Sequence, residues 1–286
     1  MPRLLIAGCG YLGQAVADLF LAERWDIHAW TMSAESARRL AEQPYSTRAL
    51  DVSDTKQVIA HRADFDAVFH CASTRGGGAE SYRRVYFNGV RNLLEHFPAS
   101  KLVFVSSTSV YGQTGGEWVN EESPAEPQTE TGRILREAEA LALSKSATVV
   151  RLGGIYGPGR SALLKKFLAG EAILDLQNDR LVNEIHRDDA AMAVRLLALR
   201  NEDSGQIYNV VDNEPTLQSE CYRWLAAKLK RPLPPSGRST SARQRGPTNK
   251  RVSNAKLRAL GWSPRFPNFA AGMEQSVLPS FSRDLG

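Results

Sequence analysis

A chain of 286 residues, 42% of them hydrophobic and 23% charged, has the composition of a globular protein and is long enough to bury a core without disulfide bonds or metals. The three cysteines, Cys9, Cys71 and Cys221, are far apart and match no ligand spacing, which argues against structural zinc or a disulfide framework and favours a cytoplasmic location. No apolar stretch approaches the roughly 20 residues that span a bilayer, and the apolar run at the N-terminus is too short for a signal sequence.

Positive charge is concentrated in one C-terminal region. Of the 36 Lys and Arg residues, eleven lie between residues 221 and 258, where there is no Asp or Glu. This region could bind an anionic substrate, contact nucleic acid or form a solvated loop. The solvated loop is favoured, and nucleic acid is least favoured because no helix-turn-helix, zinc-finger or RNP pattern is present. Within it, residues 231–247 are rich in Pro, Ser and Arg, which predicts a mobile basic loop.

Short apolar runs alternate with amphipathic stretches over the first 155 residues. The predicted strands are Arg3–Ala7, Asp26–Trp30, Thr47–Leu50, Ala67–His70, Leu102–Val105 and Thr148–Leu152. The predicted helices are Leu12–Ala22, Ala34–Glu42, Thr55–Ala60, Ser81–His96 and Arg133–Leu143. Continuous apolar runs suit strands that helices bury on both faces, so the alternation predicts an α/β fold with a Rossmann-type doubly wound parallel sheet.

The alternation becomes less regular after Gly157. The further predicted elements are helices at Ala162–Ala169, Asp188–Arg200, Gln218–Lys230, Ser253–Leu260 and Phe269–Gln275, an apolar run at Asn183–His186 and a strand at Gln206–Val210. We therefore expect a Rossmann domain over residues 1–158, to which 181–212 partly return, and a smaller C-terminal α+β domain over 159–286.

A glycine-rich loop follows the first predicted strand and opens the first predicted helix. Gly8, Gly10 and Gly13 form the pattern GxGxxG in the strand–turn–helix context that dinucleotide binding requires. Gly8 permits the tight turn, Gly10 lets the backbone approach a pyrophosphate, and Gly13 lets the helix pack on the strand. The helix N-terminus then offers free N–H groups to the anion. This context favours a dinucleotide site over a glycine turn without a ligand.

The end of the second predicted strand bears on the choice of cofactor. NAD-binding loops place an acid there to accept from the ribose 2′-hydroxyl, but this strand ends without one. Thr31 and Ser33 could hydrogen-bond a 2′-phosphate, and Arg38 or Arg39 could pair with it, which favours NADP over NAD. The alternative is that Ser33 only caps the next helix and both arginines face solvent.

Several segments beyond the glycine loop resemble the extended short-chain dehydrogenase/reductase family, also called NAD-dependent epimerase/dehydratases. They are the segments at 50–54 (LDVSD), 69–73 (FHCAS), 105–112 (VSSTSVYG), 151–159 (RLGGIYGPG) and 185–191 (IHRDDAA). The resemblance covers most of the chain and implies a cytoplasmic, NAD(P)-dependent oxidoreductase or epimerase-like protein. It also implies that the smaller domain binds a small-molecule substrate.

The resemblance and the loop argument together give the expected site residues. The resemblance implies that Asp51 contacts the adenine with Val52 beside it, and that Ser107 is the catalytic Ser/Thr. The expected cofactor-binding residues are Gly8, Gly10, Tyr11, Leu12, Gly13, Thr31, Ser33, Arg38, Asp51, Val52, Cys71, Ala72, Ser73 and Ser106. No metal ligands are expected.

The family's catalytic Tyr-x-x-x-Lys pair is missing from the sequence. Aligning Gly132 and Glu139 with the family pattern places Thr131 at the Tyr and Leu135 at the Lys, and no Tyr in the chain has a Lys four residues later. A Lys in that position lowers the pKa of the Tyr, which then exchanges a proton with the substrate. Tyr86 also stands where the family has an Asn, so this sequence is an atypical member.

Other side chains are candidates for the lost roles. Tyr86 or Tyr111 could donate a proton, although each also has a structural interpretation. Arg133 and Arg136 could bind an anionic substrate, or they form a solvated helix face with Glu137 and Glu139.

Two functions remain open from the sequence. The first is an oxidoreductase or epimerase/dehydratase-like enzyme with a rebuilt active site. The second is a non-catalytic NAD(P)(H)-binding protein that regulates a partner or senses redox state. Family members often dimerise through the helices predicted at Ser81–His96 and Arg133–Leu143, so the resemblance also implies a homodimer.

Overall fold

The computed structural model describes residues 1–74, 76–200, 202, 204–238 and 248–283. Residues 239–247 of the predicted basic loop lie outside this description. Within the described residues, no helix has both the length and the apolar composition needed to cross a membrane.

The central feature is a seven-stranded sheet with the order β11-β7-β5-β4-β1-β2-β3. Its strands are β1 (Arg3–Ala7), β2 (Asp26–Thr31), β3 (Ser46–Ala49), β4 (Ala67–His70), β5 (Lys101–Ser107), β7 (Thr148–Leu152) and β11 (Ile207–Val210). β1 pairs in parallel with both β2 and β4, so the strand order reverses at β1. In open sheets of this kind, ligands bind outside the carboxyl ends of the strands at such a reversal. The predicted Rossmann-type sheet is confirmed.

Helices connect these strands and continue into the C-terminal half of the chain. They are α1 (Tyr11–Ala22), α2 (Ala34–Leu40), α3 (Thr55–Ala60), α4 (Ala79–Tyr82), α5 (Gly89–His96), α6 (Glu130–Ser144), α7 (Ala162–Leu168), α8 (Arg187–Leu199), α9 (Gln218–Leu229), α10 (Ala255–Arg258), α11 (Phe269–Gly272) and α12 (Leu278–Arg283). The spans predicted for β1, β4, β7 and α3 agree with the observed ones.

Alternate residues of β1 face opposite layers of helices, as the pleat of a strand requires. Leu5 and Ala7 pack in a fully buried core with residues of α3, α5 and α6. Ile6 points to the other face, where it lies against Gly13 of α1. The inner strands of the sheet are therefore buried on both sides, which explains why β1, β4 and β7 are mainly apolar runs without alternation, whereas the edge strand β3 is largely exposed.

The helix predicted over Ser81–His96 is interrupted by a π-helical segment, Arg83–Asn88, between α4 and α5. His70 at the end of β4 is fully buried, and its Nε2 bonds the carbonyl oxygen of Val85 within this segment at 3.1 Å. Burial lowers the pKa of His70 to about 4, so the ring is neutral and donates from Nε2 to the carbonyl. Wide turns of this kind are often found at functional sites.

The chain divides into two compact units. The first comprises residues 1–110, 125–151 and 191–208, and contains most of the seven-stranded sheet. The second comprises residues 111–124, 152–190 and 209–286. The division predicted at residue 158 stays a prediction, and the segment that returns to the first unit in the structure is 191–208.

The second unit is built from short strand pairs and helices. The pairs are β6 (Trp118–Val119) with β13 (Arg251–Val252), β8 (Gly154–Tyr156) with β10 (Glu184–His186), and β9 (Leu181–Val182) with β12 (Thr216–Leu217). An apolar cluster from α7, α9 and α11 forms its core, which includes Tyr156. The hydroxyl of Tyr156 donates to the carbonyl of Asn268 at 3.3 Å, and a Cβ on Gly272 would stand 2.0 Å from this hydroxyl oxygen.

Candidate functional site

The glycine-rich loop connects β1 to α1 at the point where the strand order reverses. Gly8 has a φ of +96°, and a Cβ there would stand 2.3 Å from the backbone of Ala72. A Cβ on Gly13 would stand 3.0 Å from Ile6. A Cβ on Gly10, in contrast, would meet nothing closer than the carbonyl oxygen of Gly8 at 3.9 Å. Two glycines therefore allow close packing, and the third leaves open space in front of the helix.

Helix α1 begins at Tyr11 without a side-chain cap on its N-terminal N–H groups. Its N-cap residue is Gly10, and its first turn contains no acidic residue. The partial positive charge of the helix end is therefore not neutralised by its own side chains. A 12-residue helix with an uncapped end and an adjacent open position fits the pyrophosphate of a dinucleotide.

The end of β4 lies against this loop. The N–H of Cys71 donates to the carbonyl of Ala7 at 2.9 Å, and its thiol donates to the carbonyl of Gly8 at 3.1 Å. Burial raises the pKa of the Cys71 thiol well above its ordinary value, so the thiol stays protonated. Ala72 is half-buried and Ser73 is exposed. Of the expected residues that follow β4, Cys71 and Ala72 thus lie beside the glycine loop.

The residues expected to select the cofactor lie around the start of α2. Thr31 ends β2 and is buried. The Oγ of Ser33 accepts from the N–H of Ser36 at 3.1 Å and donates to the Oγ of Ser36 at 2.9 Å, so this hydroxyl caps the helix. Arg38 is exposed, whereas Arg39 pairs with Glu35 at 3.2 Å. Among the charged candidates, Arg38 is the one directed to solvent without a partner in the described chain.

The segment after β3 forms a compact turn. Oδ1 of Asp51 accepts from the N–H and the Oγ of Ser53, at 2.9 and 2.7 Å. Val52 is buried, and its carbonyl accepts from the side-chain amide of Asn92 at 2.9 Å. These contacts fix the turn, and the adenine-contact role of Asp51 stays a prediction.

A buried ionic network joins β5, α6 and β7 in the first unit. Glu139 is 0% exposed, and Ser106 donates to its Oε1 at 2.5 Å. Arg151 donates from Nε to Oε1 at 3.1 Å and from Nη2 to Oε2 at 2.8 Å. Arg136, one turn earlier on α6, also donates to Oε2. One buried carboxylate therefore holds two guanidinium groups and a hydroxyl.

This network corrects one interpretation of the sequence. Glu139 does not belong to a solvated helix face, because it is fully buried, whereas Glu137 is exposed and pairs with Arg83 at 2.9 Å. The signal that was missed is Arg151, a charged residue inside the otherwise apolar run of β7. A buried arginine requires a carboxylate partner.

Thr131 and Leu135, which the sequence aligns with the Tyr and Lys of the family pattern, both lie on α6. Thr131 is half-buried in the first turn of α6, and its hydroxyl donates to the Oγ1 of Thr129 at 3.3 Å. Leu135 is buried in the core of the first unit. Neither side chain has a group that ionises near neutral pH, so this pair supplies no proton donor.

The three candidate catalytic residues occupy distinct environments. Ser107 is half-buried at the end of β5, where its Oγ accepts from the N–H of Ser109 at 3.2 Å. Tyr86 is half-buried in the π-helical segment, with its ring 5.0 Å from that of Tyr82. Tyr111 is fully buried in the second unit, and its hydroxyl donates to Oδ1 of Asn209 at 2.9 Å. That contact favours a structural role for Tyr111.

The second unit contains a separate pair of carboxyl groups. The N–H of Asp212 donates to the carbonyl oxygen of Glu184 at 2.7 Å, and Oε2 of Glu184 is enclosed without a hydrogen-bond partner among the described residues. Burial raises the pKa of Glu184 to about 8. Burial, together with the nearby charge of Glu184, raises the pKa of Asp212 to about 9. Both carboxyl groups therefore favour the protonated form at neutral pH.

Over the residues that the structure describes, no group of three or more His, Cys, Asp or Glu side chains has the arrangement of a metal site. The polar groups that follow β1 and β2 include the N–H groups at the start of α1, the hydroxyls of Thr31 and Ser33 and the exposed guanidinium of Arg38. These donors suit phosphate and ribose groups.

Comparisons with known proteins agree with this geometry. A model of the NAD dependent epimerase/dehydratase family matches residues 4–211. Protein YeeZ of Escherichia coli K12 is 30% identical over 224 residues, which are 73% of this chain and 77% of YeeZ.

Two solved structures are similar over nearly the whole chain. A candidate NAD-dependent epimerase/dehydratase from Methylobacillus flagellatus is 29% identical, with a TM-score of 0.78 over 98% of this chain and 99% of the other. The dTDP-glucose 4,6-dehydratase of Bacillus anthracis in complex with NAD has a TM-score of 0.82 over 99% of this chain and 97% of its own, at 19% identity. That second likeness shows the fold alone.

Proposed function

This chain belongs to the NAD dependent epimerase/dehydratase family, and from that premise we propose that it binds a nicotinamide dinucleotide at the carboxyl ends of β1, β2 and β4. The observation that carries the proposal is the open position at Gly10 in front of the uncapped α1. The N-terminus of α1 would hold the pyrophosphate, Asp51 and Val52 would contact the adenine, and Cys71, Ala72 and Ser73 would line the site after β4.

NADP(H) is the preferred form in this proposal. The end of β2 offers no carboxylate to the ribose 2′-hydroxyl, and the exposed Arg38 supplies a guanidinium for a 2′-phosphate. The hydroxyl of Ser33 contributes less, because both its donor and its acceptor capacity are used in capping α2.

The proposed activity is that of an oxidoreductase or epimerase/dehydratase with an altered proton donor. The bound dinucleotide supplies hydride transfer. Ser107 holds the substrate hydroxyl or carbonyl, and Tyr86 is the candidate proton donor. Because loss of a positioned general acid costs about 10²–10⁴ in rate, turnover on ordinary family substrates is slow.

The substrate in this proposal is a small anionic molecule of the nucleotide-sugar kind, by analogy with the named substrate of the Bacillus anthracis dehydratase. The protein acts in the cytoplasm, which its three unpaired cysteines favour. The homodimer that the resemblance implies is part of this proposal, and sedimentation that gives a monomer mass at micromolar concentration would contradict it.

The alternative function is a non-catalytic NAD(P)(H)-binding regulator or redox sensor. The specific observation in its favour is that Thr131 and Leu135 replace the proton-transferring pair while the glycine-rich loop keeps its geometry. Such a protein binds cofactor tightly, turns nothing over, and binds a partner with an affinity that depends on the cofactor.

Calorimetric titration with NADP⁺, NADPH, NAD⁺ and NADH tests the cofactor proposal. The Gly10→Ala variant should bind at least tenfold more weakly, because the methyl group enters the space assigned to the pyrophosphate. The matched control is Gly237→Ala, where the added Cβ meets only Ile173 at 3.8 Å. Equal affinities in the variant, the control and the unmodified protein would contradict the proposal.

Absorbance of NADPH separates the enzyme from the regulator. Oxidation by some carbonyl or nucleotide-sugar substrate that is lost in Ser107→Ala supports the enzyme. Tight NADPH binding without turnover across such a panel supports the regulator.

A further inference from the structure

An open groove of about 590 Å³ lies in the first unit, between α6 and the loop at residues 125–128 that precedes it. Its side on α6 carries Arg133, Arg136 and Glu137. This volume is sufficient for a small ligand. None of the cofactor-binding residues proposed above lines this groove, so it needs its own explanation.

The positive charge of Arg136 is not fully neutralised. Its one carboxylate partner, Glu139, is shared with the buried Arg151, so two guanidinium groups face a single carboxylate. Arg151 is enclosed, whereas the Arg136 side chain is 34% exposed. The excess charge of this network therefore reaches solvent at Arg136, in the groove.

Arg136 also keeps hydrogen-bond donors for a ligand. Its bond to Glu139 uses Nη1, and its Nε and Nη2 donate to no group in the described part of the chain. Arg133, one turn earlier, lines the same groove and donates from Nη2 to the carbonyl of Gln128 at 3.3 Å. Planar guanidinium groups with unused N–H groups suit carboxylate and phosphate oxygens.

The wall opposite α6 is the loop at 125–128, which packs directly on the first turn of the helix. A Cβ on Gly132 would stand 2.4 Å from Cβ of Pro127, so the absence of a side chain at Gly132 allows this contact.

Two acidic side chains also line the groove. Glu137 forms an ion pair at 2.9 Å with Arg83, which does not line the groove. Glu126 is exposed and forms no ion pair within the described residues. Glu126 therefore competes with an anion for the guanidinium groups, and the affinity for a single small anion is modest.

We propose that this groove is an anion-binding site for a carboxylate or phosphate group, with Arg136 as its principal ligand and Arg133 as its second. The site goes beyond the proposed cofactor function, because it binds its anion whether or not a dinucleotide is present. The buried Glu139, which accepts from Arg136, also accepts from Ser106 and so holds the guanidinium in place at the groove.

Calorimetric titration at constant ionic strength tests this proposal with two probes, inorganic phosphate and malonate. The unmodified protein should bind at least one of them saturably, and the stronger probe identifies the chemistry as phosphate or carboxylate. The Arg136→Gln variant should bind at least tenfold more weakly, because a charge-assisted contact is lost. Arg62→Gln is the matched control, since Arg62 is exposed and lies between α3 and β4.

Two further variants distinguish the loss of a binding contact from misfolding of the protein. Arg136→Lys keeps the charge and loses the planar fork, so it should bind more weakly than the unmodified protein and more tightly than Arg136→Gln. Glu126→Gln should bind two- to fivefold more tightly, because the competing carboxylate is removed. Absence of saturable binding of both probes, or equal losses in Arg136→Gln and Arg62→Gln, would overturn the proposal.

Failure of the anion-site proposal can be distinguished from failure of the cofactor proposal. Each variant is also titrated with NADPH in the absence of phosphate and malonate. Lost anion binding with unchanged NADPH binding supports the groove as a separate site. Unchanged anion binding in Gly10→Ala, together with lost NADPH binding, supports the same separation.

Discussion

Helices α1 and α6 begin in contrasting ways at the same sheet. Helix α1 starts behind Gly10 with no side-chain cap and with open space in front of it. Helix α6 starts behind Thr129, whose Oγ1 accepts from the N–H of Gly132 at 3.2 Å, and Pro127 fills the space beside that glycine. The first helix start suits a bound anion, whereas the second is closed by its own chain. The contrast shows that two helices of the same layered fold begin with opposite arrangements, one open and one filled by a side chain.

The largest expected effect concerns the buried charge on α6. Glu139→Gln should lower the free energy of unfolding by about 3–5 kcal/mol, because Arg151 stays buried without a counter-charge. The control Glu137→Gln, two residues earlier and exposed, should cost less than about 1 kcal/mol. Urea denaturation measures both. Similar losses in the two variants would show that the network around Glu139 does not stabilise α6.

The second effect concerns Glu184 and Asp212 in the second unit. Among the described residues, these carboxyl groups lack guanidinium partners such as those of Glu139. Their raised pKa values mean that Glu184 and Asp212 stabilise the fold in the protonated form. This stabilisation is complete below the unfolded pKa of about 4 and is lost as pH rises through about 8 to 9.

We expect the free energy of unfolding to fall by several kcal/mol between pH 5 and pH 9, since each group contributes about 1.4 kcal/mol per pH unit between its unfolded and its folded pKa. Thermal unfolding across this range measures it. The Asp212→Asn variant should flatten the dependence, whereas Glu171→Gln, an exposed carboxylate, should not. A flat profile in the unmodified protein would exclude the raised pKa values.

The third effect compares the same substitution at the two helix starts. Gly132→Ala should destabilise by about 1–2 kcal/mol, because the clash with Pro127 exceeds the gain in helix propensity. Gly10→Ala should change the melting temperature little and weaken NADPH binding. If Gly132→Ala is neutral or stabilising, the loop at 125–128 moves more freely than the contact with Pro127 implies.

The smallest effect separates the two roles of Ser33. Ser33→Ala should cost about 1 kcal/mol, because the cap of α2 is lost. Ser33→Asp keeps a capping oxygen and adds a negative charge near the end of β2, so it should weaken NADPH binding more than NADH binding. Denaturation and calorimetry give the two values, and equal weakening of both nucleotides would remove Ser33 from cofactor selection.

The sheet could be predicted because its signals are local. Apolar runs such as Ala67–His70 and the glycine spacing from Gly8 to Gly13 each depend on a few adjacent residues. The short strand pairs of the second unit could not be predicted, because strands of two or three residues are defined by partners that lie far along the chain, as β6 and β13 are.

In the candidate site, too, some features follow from local sequence signals and others depend on distant residues. The close packing of Gly8 and Gly13 follows from their positions in the loop. The burial of Glu139 does not follow from α6 alone, because it depends on Arg151 in β7 and Ser106 in β5. The cap formed by Ser33 was one of two interpretations of the same residues, and only the contact with Ser36 distinguishes them.

The wide turn at Arg83–Asn88 has an evolutionary consequence. Because such a turn accommodates one additional residue, insertion or deletion of a single codon there rotates the side chains that follow while both helix ends keep their places. His70 donates from Nε2 to the carbonyl oxygen of Val85, which satisfies this acceptor within the wide turn. The side chain presented beside the sheet, Tyr86 in this protein, could therefore be exchanged among relatives by a shift in helical phase as well as by point mutation.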